Sequence, residues 1–239
     1  DLIRNSDVVV ENFAANVFER MGLGYDMCRS LKSDVIVISM SGYGASGPES
    51  EYVSYGPAQV PLSGLSSVTG YRGWRPMHIG ISYGDPTAGL QGAVAVLSAL
   101  IHRRRTGEGQ FIDLSQWEST MALLPEALLA QSMTGAAPER DGNRDTMWAP
   151  HAIYRCAGED RWVSIAAADE DEWRRLASVV DPALASDPRF ASAALRKQNE
   201  DALDAAIGAW CASRSPEDVR DTLQASGVAA FPAMTAKDL

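Results

Sequence analysis

The sequence predicts a parallel α/β unit followed by a small α+β unit, and three observations carry that prediction. Two β-branched runs open the chain, residues 7–11 around Val8-Val9-Val10 and residues 34–41, DVIVISMS, with a helical stretch between them. Strands that are apolar along their whole length belong to parallel sheets covered on both faces. A polar stretch rich in Pro, Gly and Asn, TGAAPERDGNRDTMWAP at 134–150, then separates this region from two strand-like runs joined by a short turn. The expected organisation is a large unit over 1–135, a linker over 136–150 and a small unit over 151–239.

Residues 14–31 have helical spacing broken by GLGYD at 22–26, which predicts two short helices. The second strand runs into the glycine-rich loop GYGASGPES at 42–50. Residues 55–70 are mixed, with helix expected around PAQVPLSGL. The clearest helix starts in GDPTAG at 84–89, with Asp85 suited to the N-cap and Pro86 to the first helical position. Leu90, Val94, Leu97 and Ile101 fall on one of its faces, His102 to Arg105 occupy its last turn as a solvated terminus, and Gly107 closes it. QFIDLS at 110–115 predicts a third strand and residues 116–133 a helix. In the small unit, AIYRCA and RWVSIAA predict an antiparallel pair turning at residues 158–160. Helices are expected near 169–180, 198–213 and 216–226, and a last strand in GVAAFPAM at 227–234.

Composition narrows the function. The chain is 46% hydrophobic and 22% charged, as a globular protein is, and its formal charge of −10 is the wrong sign for nucleic acid. It has no apolar run of the roughly 18 to 20 residues that a membrane span needs. The opening, DLIRNSDVVVENF, is not a signal peptide. Three histidines without HxH or HxxxH spacing argue against a metal site. Cys28, Cys156 and Cys211 are far apart and in no CxxC pair, which reads as buried, reduced thiols in a cytoplasm. The chain starts as if in mid-domain and stops at TAKDL without a terminal element, so it reads as a piece of a longer one.

Asp85 is the residue with most chemistry in it. It is a short carboxylate at a helix start, where main-chain amides favour the ionised form, and Gly84 beside it lets a ligand or another backbone approach. Such a carboxylate serves covalent catalysis, although Asp before Pro at a helix start is also an ordinary cap, and the residues alone leave both readings open. Asn12 and Phe13 end the first strand at its C-terminal edge, where α/β sheets bind ligands. Arg20, in the helix that follows, is either a phosphate contact or a surface charge. Tyr55 lines a pocket or caps a core. GYGASG resembles a dinucleotide fingerprint, but Pro48 interrupts the helix that should follow it, and no G-x-S-x-G elbow supports a serine hydrolase.

Taken in order, DVVVENF at 7–13, FERMGLGYD at 18–26, VISMSGYGASGP at 37–48, SYGPAQVPLSGLSSVTG at 54–70, GISYGDPTAGLQGAVAVLSAL at 80–100, RRRTGEGQFIDLSQWE at 103–118 and APHAIYRCAGEDRWVSIAA at 149–167 resemble the class III coenzyme A transferases, the group of formyl-CoA and L-carnitine CoA-transferases. The resemblance covers nearly the whole chain. It implies a Rossmann-like, parallel-sheet large domain followed by a small α+β domain, with further parts of the large domain before Asp1 and after Leu239. It also implies a cytoplasmic enzyme whose two chains interlock as a homodimer.

By the same resemblance, Asp85 attacks an acyl-CoA thioester to give a mixed anhydride and then an aspartyl-CoA thioester, which a carboxylic acid acceptor opens. Asn12, Phe13, Arg20 and Tyr55 match positions at the CoA site. Coenzyme A and its acyl thioester are substrates, with no tightly bound cofactor. Gly56 departs from the acidic residue that many such transferases carry after the pocket aromatic, which bears on the acceptor. The related α-methylacyl-CoA racemases carry a His where this chain has Tyr55, whose reference pKa of about 10 makes it a poor base at neutral pH. An isomerase that uses Asp85 as base, with His78 as the nearby histidine in sequence, is the alternative enzyme. A non-catalytic half of a tandem protein is the alternative without turnover.

Overall fold

The computed structural model describes residues 1–239, which divide into two compact units, Asp1–Arg140 and Asp141–Leu239. The 136–150 stretch is shared between them. Arg140 donates to the carbonyls of Ser67 and Trp74 in the first unit, and Arg144 donates to Asp201 and Asp204 in the second.

The first unit runs α1 (Leu2–Asn5), β1 (Val8–Glu11), α2 (Val17–Arg20), α3 (Tyr25–Leu31), β2 (Ile36–Ser39), α4 (Gly56–Leu62), α5 (Leu65–Val68), α6 (Gly84–Thr106), β3 (Phe111–Asp113), α7 (Gln116–Met121) and α8 (Pro125–Thr134). Its three strands are parallel in the order β1-β2-β3, with Val9 opposite Val37 and Val37 opposite Phe111. The central strand is buried throughout, and apolar but for Ser39, because both faces are covered. Val37 packs with Cys28 and Val35 on one side, against Phe18 and Tyr25, while Ile38 packs with Ala88 and Leu114 on the other.

Helix α6 is laid on this sheet by small residues. Its buried positions are Gly84, Thr87, Ala88, Gly92 and Ala99, and a methyl group at Gly92 would lie 2.7 Å from Met40 Sδ. The stripe Leu90, Val94, Leu97 and Ile101 is therefore on the other side, 53–72% exposed, rather than in the core. Gly107 ends the helix with φ 77°, in the left-handed region where a Cβ is costly. The basic last turn is not simply solvated. Arg103 Nη2 donates to Asp7 Oδ1 at 2.8 Å and Nη1 to the Asp34 carbonyl at 3.3 Å, tying the end of α6 to the starts of β1 and β2. Arg103, and then Lys32, hold the Asp7 carboxyl below its usual range. The helix expected over 116–133 is two, because Pro125 cannot continue one and begins the next.

The second unit runs β4 (His151–Arg155), β5 (Trp162–Ala166), α9 (Glu170–Val180), α10 (Pro182–Ser186), α11 (Ala193–Gln198), α12 (Glu200–Cys211), α13 (Pro216–Ala225) and β6 (Ala229–Pro232). Its sheet is antiparallel in the order β4-β5-β6. α10 and α11 were not expected; they are short, and each starts on its own side-chain cap, Asp181 and Ser192. The core gathers Val163, Ile165, Leu176, Leu203, Ile207, Val219 and Leu223, all 2% exposed or less. Arg196 is equally buried, and every one of its bonds is internal. It donates to the carbonyls of Ala149 (2.9 Å) and Phe190 (3.2 Å) and to both carboxylate oxygens of Glu170 (3.0 and 2.8 Å), over the Trp173 ring.

Two expectations follow. A Cβ at Gly109 would overlap the backbone of Asp34 and Val35, so Gly109→Ala is expected to destabilise the first unit by about 3 kcal/mol, read by urea denaturation. The hydrogen bonds from Arg196 lower the pKa of Glu170 from its ordinary 4.5. Stability from this pair is therefore complete above that value and lost as pH falls through the lower, folded value. Melting temperatures below about pH 4.5 should fall less steeply in Glu170→Gln than in the wild type, starting from a lower plateau.

Candidate functional site

The C-terminal edge of the parallel sheet is where three of the four expected ligand residues, Asn12, Phe13 and Tyr55, meet. A cavity of about 140 Å³ is lined by Asn12 and Phe13 after β1, Ser41 and Gly42 after β2, Ser54 and Tyr55 before α4, and Gln116 at the start of α7. No charged side chain lines it. The order of the fold explains the meeting: parallel strands deliver all their following loops to one edge. The loop after β1 is shaped by Glu11, whose Oε2 accepts from the Phe13 amide at 2.9 Å. The loop after β2 is held by α7, as the amides of Gln116 and Trp117 donate to the carbonyls of Ser41 and Gly42 at 3.1 and 3.0 Å.

Asp85 is the second residue of α6, two positions past the cap. Tyr83 takes the cap position, and the Asp85 amide donates to the Ser82 carbonyl at 3.1 Å. The reason is local. Gly84 can already adopt helical geometry, and Pro86 is tolerated at the third position because its missing amide has no intrahelical partner there. The carboxylate is exposed and takes part in no hydrogen bond or ion pair. Its side chain rests on Gly56: a Cβ there would lie 2.5 Å from Asp85 Oδ2 and would overlap Ser82 Cβ. Gly56 follows Tyr55, so Asp85 adjoins the rim of the cavity through one residue.

Tyr55 is 73% exposed and Phe13 46%, two aromatic side chains standing open at the same edge. Arg20 is the last residue of α2, exposed, without an ion pair, and lines neither this cavity nor the one of about 220 Å³ beneath Glu11, Glu19 and Asp113. His78 lies in the irregular loop before α6, where its Nδ1 accepts from the Gly80 amide at 3.0 Å. The three thiols are buried, and burial raises each pKa, that of Cys211 to about 12. A larger cavity, about 620 Å³, lies against β4, β5 and β6 of the second unit and contains none of the expected residues.

Sequence reasoning missed Gln59 and Gln116. Gln59 is 1% exposed in α4, and its Nε2 donates to Gln116 Oε1 at 2.6 Å; Gln116 Nε2 donates to the Met40 carbonyl at 2.7 Å. Four of the five buried side-chain polar atoms without a partner belong to Ser41, Ser54, Gln59 and Trp117, at this edge. Folded proteins rarely leave such atoms unpaired, and four of them gather at this one edge. Gly56→Ala is expected to lower the melting temperature by several degrees, as an overpacking of about 1–3 kcal/mol would, and Gly56→Ala/Ser82→Gly to regain most of it.

No helix is long and apolar enough to cross a membrane. The model of CoA-transferase family III matches residues 1–239. The chain is 34% identical over 239 residues to the succinyl-CoA–D-citramalate CoA-transferase of Chloroflexus aurantiacus, covering 100% of this chain and 59% of that protein. It is 33% identical over 234 residues to the acetyl-CoA:oxalate CoA-transferase of Acetobacter aceti, covering 97% of this chain and 60% of that one. Among solved structures it superposes on a CAIB/BAIF family protein from Brucella suis with a TM-score of 0.90 at 30% identity, over 99% of this chain and 62% of that one. The chain thus spans about 60% of the length of these relatives. A match along its full length, together with that superposition, makes the chain a member of CoA-transferase family III.

Proposed function

We propose that the full-length protein is an acyl-CoA:carboxylate CoA-transferase and that Asp85 is its nucleophile. The observation that carries the reading is the state of Asp85: an exposed carboxylate in the first turn of a 23-residue helix, flanked by close-packed glycine and bonded to nothing. Anionic charge is favoured at that end of a helix, and both oxygens keep the lone pairs with which to attack.

In the first step an Asp85 oxygen bonds to the thioester carbonyl carbon, the C–S bond breaks, and coenzyme A leaves as the thiolate. The product is a mixed anhydride. The thiolate then attacks the Asp85 carbonyl carbon and expels the donor acid as its carboxylate, leaving an aspartyl-CoA thioester. An acceptor carboxylate opens this thioester, and the returning thiolate takes the acceptor acyl group and frees Asp85. Each step exchanges one anion for another, so no net proton is required. Asn12, Phe13 and Tyr55 are assigned to coenzyme A, their uncharged cavity suiting amide and thioester rather than phosphate. Arg20, a cation without an ion pair, is assigned to a phosphate outside that cavity. The relatives' names include citramalate and oxalate, and a dicarboxylic acid is the acceptor class we assign. The interlocked homodimer and the cytoplasmic location belong to this same reading.

The test is mass spectrometry of the full-length protein incubated with succinyl-CoA or acetyl-CoA, with hydroxylamine to trap activated carboxylate. The expected outcome is a hydroxamate on the Asp85 peptide that is absent from Asp85→Ala. Lack of any adduct, with solvent deuterium entering the acyl α-carbon, would overturn the transferase reading in favour of an isomerase.

A further inference from the structure

We propose that Gln59 is a positioning residue for Asp85, acting through a relay that runs from the end of β2 to the first residue of α6. The proposal rests on the reading of Asp85 as nucleophile.

The relay has a direction, and one backbone atom sets it. The Met40 carbonyl can only accept, so Gln116 must turn its Nε2 toward it. Gln116 Oε1 is then the atom left for Gln59, and Gln59 must present its own Nε2. That leaves Gln59 Oε1 as the far end of the chain, fully buried and without a donor. It is packed on Gly84, where a Cβ would overlap both Oε1 and Cδ of Gln59.

The amide plane of Gln59 is therefore the surface on which the first residue of α6 sits, and Asp85 is the next residue along. On its other side the Asp85 carboxylate meets Gly56, the first residue of the helix that carries Gln59. One short helix thus bounds Asp85 twice, at its backbone through Gln59 and at its carboxylate through Gly56. The unpaired acceptor costs stability, because a buried carbonyl oxygen without a donor has lost its bonds to water. Leu or Met at this place would avoid it, so a stabilising role alone does not account for a glutamine. Its one hydrogen-bonded end, Nε2, does, because through Gln116 it couples α4 to the end of β2.

The experiment measures, in the full-length protein, the rate of trapped adduct formation at Asp85 with succinyl-CoA or acetyl-CoA, whichever labels the wild type, and separately the dissociation constant for coenzyme A. Gln59→Met keeps the volume and cuts the relay. It is expected to slow adduct formation about 10- to 100-fold, as a displacement near 1 Å would, with coenzyme A affinity within about two-fold of wild type. Gly84→Ala keeps both glutamines but forces a methyl onto Oε1. It is expected to give the same split, and it serves if Gln59→Met fails to fold. The double variant should be no slower than the worse single one, since both act on one contact. Equal adduct rates in wild type and both variants would overturn the relay alone. A parallel loss of rate and of coenzyme A affinity would reduce Gln59 to a structural residue. Absence of an adduct in the wild type would overturn the nucleophile and the relay together.

Discussion

Strand β2 is hydrogen-bonded along both edges and buried on both faces, and its C-terminal end is the fixed point from which the first unit is built. Beyond the strand itself, the Met40 amide still donates to the Glu11 carbonyl at 3.0 Å, and the Leu114 amide to the Ser39 carbonyl at 2.9 Å. The two bonds from the start of α7 to Ser41 and Gly42 carry the ladder further. A segment pinned this way cannot follow a ligand, so groups attached to it acquire defined positions. Everything placed at the site is referred to these few residues: the loop of Asn12 and Phe13 across the ladder, Gln116 through Met40, and α6 by the contact of Gly92 with the Met40 side chain.

The second consequence is how the elements can come so close. Gly42, Gly56, Gly84 and Gly92 each occupy a place where a Cβ would meet another side chain at less than 3 Å. None of these four is in the left-handed region, so space rather than backbone freedom is what they supply. Each brings two parts of the chain nearer than ordinary side chains permit, and two of them, Gly56 and Gly84, stand at the two ends of the segment from Tyr55 to Asp85. The small face of α6 is the same solution over a longer surface: alanine and glycine let its backbone approach the sheet, and Leu90, Val94, Leu97 and Ile101 are left for the opposite side.

This explains what the sequence could and could not tell. The strands were legible because β-branched runs such as Val8–Val10 and Ile36–Ile38 are the direct imprint of burial on two faces. The end of α6 at Gly107 and the turn at Gly158 were legible because positive φ selects glycine. Asp85 was singled out, though the helix starts two positions earlier, because two residues able to start a helix stand together there. The orientation of α6 was not legible: a pattern of large apolar residues marks a core only when the core is made by large residues, and here it is made by Gly and Ala. Gln59 was not legible either, since a glutamine in a short helix is ordinary on a surface and only its neighbours make it buried. Arg103 was read as solvent-exposed because nothing in the sequence joins it to Asp7, 96 positions away.

A nucleophile has to be held still without being held by the atoms that attack. A carboxylate oriented by an arginine or by several amides is well placed, but those bonds occupy its lone pairs and must weaken as the new bond forms. The arrangement around Asp85 avoids that conflict. Its main chain is fixed by the first turn of α6, by the Ser82 carbonyl and by the packing of Gly84 on Gln59, while its oxygens make no hydrogen bond and Oδ2 lies beside Gly56. Position comes from the backbone and reactivity stays with the side chain. On the reading of Asp85 as nucleophile, a substitution that adds a hydrogen-bond donor beside it is expected to slow the reaction, as one that lets the helix move would, because a bonded oxygen has a lone pair less for the attack.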